Sequence, residues 1–314
     1  GGAVVADCDV DASDLPLLLG PRILERHEFR SGFTAAIRPA DCTGCGVCQA
    51  VCRYDAVRRI PGTPVTDGKP AGCSECEFCL RSCPERTSAL IGEMMGAASG
   101  VRGAVHAIDP AVCEGCGVCV RFCPTGAIDF KERLCGEWMV SGTRCGPLVH
   151  ARLTGAAENS GKLVTVVRRE ARRIAEKEGR SLIVVDGPPG IGCPVIASVT
   201  GATDVLAVTE PTVSGEHDLD RVLTLTRHFR IPTAVCVNKW DLNPEMAERI
   251  EGAARRAGAR IAGRIRFDPF ITRAQMRMLT VVETDAPSAE DIRKVWSALI
   301  SNESVSRPGR PSAR

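Results

Sequence analysis

Twelve of the chain's 17 cysteines fall into three runs with a single spacing. The first run is Cys42, Cys45, Cys48 and Cys52. The second is Cys73, Cys76, Cys79 and Cys83, and the third is Cys113, Cys116, Cys119 and Cys123. Each reads C-x2-C-x2-C-x3-C. Three thiolates at that spacing wrap one face of a cubane iron–sulfur cluster, and the fourth points away toward a neighbouring cluster. Glycines between the ligands let main-chain N–H groups turn toward inorganic sulfide and stabilise its charge. Structural zinc favours two separated pairs of ligands, so the outer runs point to two 4Fe–4S clusters. Thiolate ligation also implies a reducing, cytoplasmic setting rather than a disulfide framework.

The outer runs lie inside an internal repeat. Ala36-Ile37-Arg38-Pro39-Ala40-Asp41-Cys42 matches Ala107-Ile108-Asp109-Pro110-Ala111-Val112-Cys113. Beyond the fourth cysteine, Tyr54-Asp55-Ala56-Val57 matches Thr125-Gly126-Ala127-Ile128. The doubling resembles a dicluster ferredoxin, in which a short strand, a cluster loop with one helical turn and a returning strand occur twice. With two halves present, the spacing predicts crossed ligation. Cys42, Cys45, Cys48 and Cys123 hold one cluster; Cys113, Cys116, Cys119 and Cys52 hold the other. The middle run has no flanking repeat and sits in a Pro/Gly-rich insertion, residues 61–105. It gathers either a third cluster, with Cys135 or Cys145 as a further ligand, or a zinc ion. Cys8, Cys193 and Cys236 read as small buried hydrophobes.

The elements that must position these loops belong to an α/β pattern. Ala3–Ala6 reads as a buried strand ending in the acids Asp7, Asp9 and Asp11, which serve either as ligand groups at a strand end or as a solvated turn. Residues 28–37 read as a linking strand, and residues 131–162 show little periodicity. After them come a strand or helix start over 163–167, a helix over 168–179, a strand over 181–185, a strand over 202–209, a helix over 216–229 and a strand over 233–237. A helix over 244–257, a strand over 260–265 and a helix over 291–301, with Val295 and Leu299 inward, complete the pattern. Strands alternating with helices imply a parallel sheet. Asp186-Gly187-Pro188-Pro189-Gly190 follows a strand. Its acid could hold a Mg²⁺ water and its turn could bring N–H groups to a phosphate, or it is a plain tight turn. Asn238-Lys239-Trp240-Asp241 also follows a strand and resembles the base-reading motif of P-loop nucleotide-binding proteins.

Taken in order, several stretches resemble the MinD-superfamily P-loop ATPases that carry an inserted ferredoxin domain. They are Asp7-Cys8-Asp9-Val10-Asp11-Ala12, Gly136-Glu137-Trp138, Gly146-Pro147-Leu148-Val149-His150-Ala151, Glu158-Asn159-Ser160-Gly161-Lys162-Leu163, Val185-Asp186 through Pro194, Thr209-Glu210-Pro211-Thr212 and Asn238-Lys239-Trp240-Asp241-Leu242-Asn243. The resemblance implies that Asp9 orients an attacking water and Mg²⁺, and that Asp186 lies in a switch region by the γ-phosphate. It further implies that Asp7, Asp11, Gly187, Pro188, Gly190, Asn238 and Asp241 line the nucleotide site, with Asn238 on adenine. A homodimer with ATP and Mg²⁺ at its interface is implied for the full-length protein. The family's K-G-G-x-G-K-[ST] loop precedes the segment that starts here at Gly1. Residues 155–163 do not replace it, because one residue too many separates the glycines and Leu163 stands where Ser or Thr should bind Mg²⁺. The expectation is a chain truncated before the Walker loop and its strand, holding nucleotide weakly or not at all.

The fold expected is therefore α/β: a parallel-sheet, P-loop NTPase-like domain lacking its N-terminal strand and loop, with an inserted α+β ferredoxin-like domain. Residues 1–32 and 132–303 form the nucleotide-binding domain, residues 33–131 the insertion, and residues 304–314 a disordered tail. Forty Lys+Arg against 38 Asp+Glu, with 4% aromatics, gives no case for nucleic acid, and no apolar run is long enough for a membrane span. The functional expectation is an iron–sulfur protein coupling nucleotide state to electron transfer or to cluster delivery, with a redox partner or cluster acceptor. The alternatives are a polyferredoxin on an inactive scaffold and a non-redox scaffold or regulator.

Overall fold

A computed structural model describes residues 2–60, 105–154 and 160–301. They form two compact units, one drawn from residues 1–29 and 136–314, the other from residues 30–135. The middle cysteine run, residues 155–159 and the tail lie outside the described residues.

The first unit is α/β. Strand β1 (Ala3–Asp7) is followed by the short helix α1 (Leu15–Leu19) and by β2 (Arg22–Ile37), which continues into the second unit. Strand β5 (Ile128–Thr143) returns and turns through Arg144-Cys145 into β6 (Gly146–Leu153), antiparallel to it from Gly136↔Leu153 to Thr143↔Gly146. A parallel pair then forms on each side of β1, with β6 and with β7 (Leu182–Asp186), so the sheet order is β2-β5-β6-β1-β7.

Helix α4 (Ser160–Glu178) covers β6, β1 and β7. Its buried Leu163, Val164, Val167, Ala171, Ile174 and Ala175 recur at helical spacing and form one apolar stripe. Gly179, at φ 63°, ends the helix, and the Arg180 N–H reaches back to the Ala175 carbonyl at 2.8 Å.

Three further strands, β8 (Val205–Thr209), β9 (Thr233–Asn238) and β10 (Arg260–Ile265), make a separate all-parallel sheet in the order β10-β9-β8. Strand β9 is buried on both faces. Val235 and Val237 pack with Leu219 and Leu223 of α6 (Val213–His228) and with Ile250 of α7 (Pro244–Arg256). Ala234 and Cys236 pack with Val295 of α9 (Pro287–Ile300). Helices on both sides of a parallel sheet explain why Thr233–Val237 reads as a continuous apolar run.

Several expectations shift. Residues 131–153 are not an irregular return but most of an antiparallel hairpin; their alternation is hidden because Lys131-Glu132-Arg133 interrupt it, while ladder pairing from β6 supports the strand. The linking strand begins at Arg22 rather than residue 28. Helix α4 starts at Ser160, so Gly161 and Lys162 are helical. Helix α8 (Phe270–Gln275) has no strong periodic signal and is additional. Cys8 and Cys236 are fully buried, but Cys193 opens helix α5 (Cys193–Val199) and is exposed.

Candidate functional site

The second unit carries the outer cysteine runs on two matched loops. In the first, a 3-10 turn (Pro39–Asp41) leads through Gly44 and Gly46, at φ 72° and 77°, into helix α2 (Val47–Val51). In the second, Gly115 and Gly117, at φ 64° and 72°, lead into helix α3 (Val118–Phe122). The left-handed glycines at both positions let the chain fold back around the cysteines. The fourth cysteine of each run, Cys52 or Cys123, sits just past its helix. The chain then returns through β3 (Val57–Ile60) or β5. Strand β3 pairs antiparallel with β4 (Val105–Ile108), with Arg59 opposite His106 and Val57 opposite Ile108. Ala35, Ala56, Val57 and Ile128 form the apolar centre with Cys48 and Cys113.

Two recesses open beside this centre. One, of about 310 Å³ counted out to open solvent, is lined by Cys42, Cys45, Cys48 and Cys123 together with His106 and Thr125. The other, of about 360 Å³ on the same measure, is lined by Cys52, Cys113, Cys116 and Cys119 together with Ala35 and Tyr54. Each recess thus gathers three cysteines of one run and the last cysteine of the other. Among the described residues no three His, Cys, Asp or Glu side chains converge on a single-ion position. A tetrahedral zinc site needs all its ligands about 2.3 Å from one point. Thiols spread around a recess fit a larger inorganic core instead.

The thiols are not equivalent. Burial, with the neighbouring thiols adding, raises Cys48 and Cys119 above the ordinary cysteine range, although the Gln49 N–H opposes the shift at Cys48. Burial also raises Cys123, but hydrogen bonds from Thr125 and from main-chain N–H groups outweigh it, and the net shift is downward. The Ala127 N–H donates to Cys123 Sγ at 3.3 Å. Such donors stabilise thiolate, the form that binds iron. Cys135 is buried and its thiol donates to the Ser31 carbonyl at 3.1 Å; Cys145 lies in the β5–β6 turn of the other unit.

In the α/β unit the acids meet at the carboxyl ends of β1 and β7. Asp7 and Asp186 are register partners, and the Cys8 N–H donates to the Asp186 carbonyl at 2.8 Å. Asp7 is buried; it accepts the Ser13 hydroxyl at 2.7 Å and the Asp9 N–H at 3.2 Å. Burial pushes its carboxyl up to about 6, with the Ser13 hydrogen bond opposing and the charge of Asp186 adding. Asp186 is solvent-accessible, yet the desolvation of its carboxyl and the charges of Asp9 and Asp14 push it upward too. Asp9 accepts the Ala12 N–H at 3.2 Å, and Asp11 is exposed. Gly187, Pro188 and Gly190 form the turn after Asp186, with Gly190 at φ 90°. Asn238 ends β9 in the other sheet, and Asp241 follows it. There Lys239, at φ 54°, pairs with Glu210 at 2.6 Å, and Asp241 Oδ1 accepts the Phe267 N–H at 2.7 Å. Ser13, Asp14 and His106 are site neighbours that motif spacing does not reveal. Only the repeat, which sets His106 against Ala35, marks one of them.

Two family descriptions match the chain, each called 4Fe-4S binding domain, at residues 39–55 and 106–129. The uncharacterized protein MJ0578 of Methanocaldococcus jannaschii is 27% identical over 241 residues, covering 76% of this chain and 68% of that protein. Among solved structures, the MinD cell division protein of Aquifex aeolicus is similar at 22% identity and a TM-score of 0.41, over 56% of this chain and 71% of that one. The cell division ATPase MinD of Pyrococcus furiosus is similar at 15% identity and a TM-score of 0.41, over 52% and 69%. The chain therefore carries two 4Fe–4S binding segments beside an α/β unit. No helix among the described residues is long and apolar enough to cross a membrane.

Proposed function

We propose that this chain is an iron–sulfur electron-transfer protein whose paired 4Fe–4S clusters are coupled to nucleotide held on the α/β unit. The observation that carries the reading is the composition of the two recesses: four cysteines each, three from one loop and one from the other. Cys42, Cys45, Cys48 and Cys123 would hold one cluster, and Cys52, Cys113, Cys116 and Cys119 the other. A bound cubane takes up and releases one electron at a time. The protein's part is to fix the thiolates, to direct N–H groups at sulfur and to close the recess with Ala35, Ala56, Ala127 and Ile128.

On the α/β unit, Asp9 and Asp186 would orient a Mg²⁺ ion and its waters. Asp7 would steady the turn between them through Ser13 and the Asp9 N–H. Asn238, beside Asp241, would face the base. The partner would be a redox protein that docks near the exposed Cys45 or Cys116, and the full-length protein would pair as a homodimer.

Anaerobic reconstitution with iron and sulfide tests the reading. Two clusters call for about eight irons per chain, with visible absorbance that bleaches on dithionite and returns rapidly with an oxidised low-potential acceptor. Clusters that assemble but cannot be reduced would defeat electron transfer. Coupling is a separate measurement: reduction potentials are compared with and without bound Mg·ATP. Unchanged potentials with nucleotide bound would leave an electron carrier without nucleotide control.

A further inference from the structure

The two cysteine recesses share one repeated sequence, but among the differences in their linings is one buried position that is polar in one and apolar in the other. A shift of 71 residues superposes the halves, Cys42 on Cys113 and Cys52 on Cys123, and it sets Ala35 on His106. Ala35 lines the recess of Cys52, Cys113, Cys116 and Cys119; His106 lines that of Cys42, Cys45, Cys48 and Cys123. His106 is 3% exposed, and its Nδ1 has no hydrogen-bond partner. Its Cε1–Nε2 edge lies 3.9 Å from where a Cβ on Gly46 would stand, so the ring rests on the cysteine loop itself. The matching glycine, Gly117, faces the ring of Phe130, which stacks on Phe33 at 4.8 Å. One recess is therefore flanked by an imidazole and the other by a methyl group and stacked phenyl rings.

A buried imidazole with no protein partner is costly unless something in the recess completes its hydrogen bonding. In its neutral form it carries one N–H. Hydrogen bonds to cluster sulfur raise a reduction potential, and an apolar, water-poor surround lowers it. The Ala127 N–H to Cys123 Sγ acts on the same recess in the same direction.

We propose that His106 is a positioning residue that donates a hydrogen bond to sulfur in the Cys42–Cys48/Cys123 recess. It thereby makes that centre the higher-potential member of the pair and the place where a single electron settles. The inference rests on the 4Fe–4S reading above and adds a direction to it: electrons pass from the Phe130-flanked centre to the His106-flanked one.

EPR-monitored titration of the reconstituted full chain with dithionite tests it. In the wild-type protein the two centres should reduce at separate potentials, with the signal lost in Cys123→Ala being the more easily reduced. His106→Leu should make that centre at least tenfold harder to reduce, equivalent to about 59 mV for a one-electron couple, and leave the other unmoved. His106→Asn, which keeps an N–H donor, should recover most of the shift. Should His106→Leu lose iron, a wild-type chain labelled with ¹⁵N-histidine gives the same decision. A nitrogen coupling by pulsed EPR should appear on the higher-potential centre alone. Two assembled centres with one common potential, a His106→Leu chain in which neither or both move, or no nitrogen coupling would overturn the assignment while leaving the clusters in place. Failure of the wild-type chain to assemble clusters would remove the 4Fe–4S reading itself.

Discussion

Asp7 and Asp186 stand opposite each other at the carboxyl ends of adjacent parallel strands, and Asp7 has its charge buried. The fold therefore holds the Asp7 proton more tightly than an unfolded chain does, up to about 6 against 3.8. A raised carboxylate pKa contributes stability at low pH that is lost as pH rises through the folded value. The size is about 3 kcal/mol at neutral pH, as an upper figure. Asp7→Asn, which keeps an acceptor for Ser13, should raise the melting temperature of the metal-free protein at pH 8. The gain should shrink toward zero near pH 4. A gain that does not depend on pH would show that charge burial at Asp7 is not the cause.

Crossed ligation makes Cys123 a test residue, because it lies nearest in sequence to one set of ligands and lines the recess of the other. Cys123→Ala should damage the centre held by Cys42, Cys45 and Cys48, with iron falling by about half and the Cys113-side EPR signal retained. Loss of the Cys113-side signal instead would mean that each run keeps its own four ligands.

Gly115 has φ 64°, and a Cβ there would lie 2.1 Å from the Phe33 carbonyl oxygen. Gly126 has φ 63° with open space around it. Both alanine variants bear the left-handed backbone penalty of about 1–2 kcal/mol, but only Gly115→Ala must also push a strand aside. Gly115→Ala should lose the Cys113-side centre, and Gly126→Ala should keep both. Iron analysis beside thermal melts separates the two outcomes.

Ser141 and His150 face each other across β5 and β6 with Oγ and Nε2 2.9 Å apart, and both are buried. Ser141→Ala leaves the imidazole without this partner and should cost about 1–3 kcal/mol of α/β-unit stability in urea unfolding. Burial, aided by the charge of Arg26, lowers the His150 pKa, so the fold must keep it neutral. Stability from this residue should be present above its unfolded pKa and fall as pH drops below about 6.5. A melt that does not change from pH 7 to pH 5.5 in the wild-type protein, relative to His150→Gln, would count against that role.

The cysteine runs, their doubling and the α/β character are all readable from one chain, because ligand spacing and strand-then-helix periodicity are local properties. Val235 and Val237 announce a buried strand by their neighbours alone, and Thr212 and Asn243 cap the helices that follow them. Other features depend on what lies across space. The hairpin of β5 and β6 exists because ladder partners hold a stretch whose own pattern is broken by charges. Among the described residues, the strands of the α/β part form two sheets rather than one, which depends on pairings between residues far apart in the chain. Asp7, Ser13 and Asp186 become one site only once β1 and β7 lie side by side.

What the sequence determines by itself is therefore the chemistry: twelve thiols at cluster spacing, two of the runs in a repeat, and acids after apolar strands. What only the tertiary structure decides is which thiols share a recess and what flanks each one. Spacing can suggest that Cys123 crosses to Cys42, but the folded unit brings them to the same cavity. No spacing rule distinguishes His106 from any other histidine. Packing against Gly46, with Nδ1 buried and unpartnered, does so, because burial makes an unpaired polar atom costly.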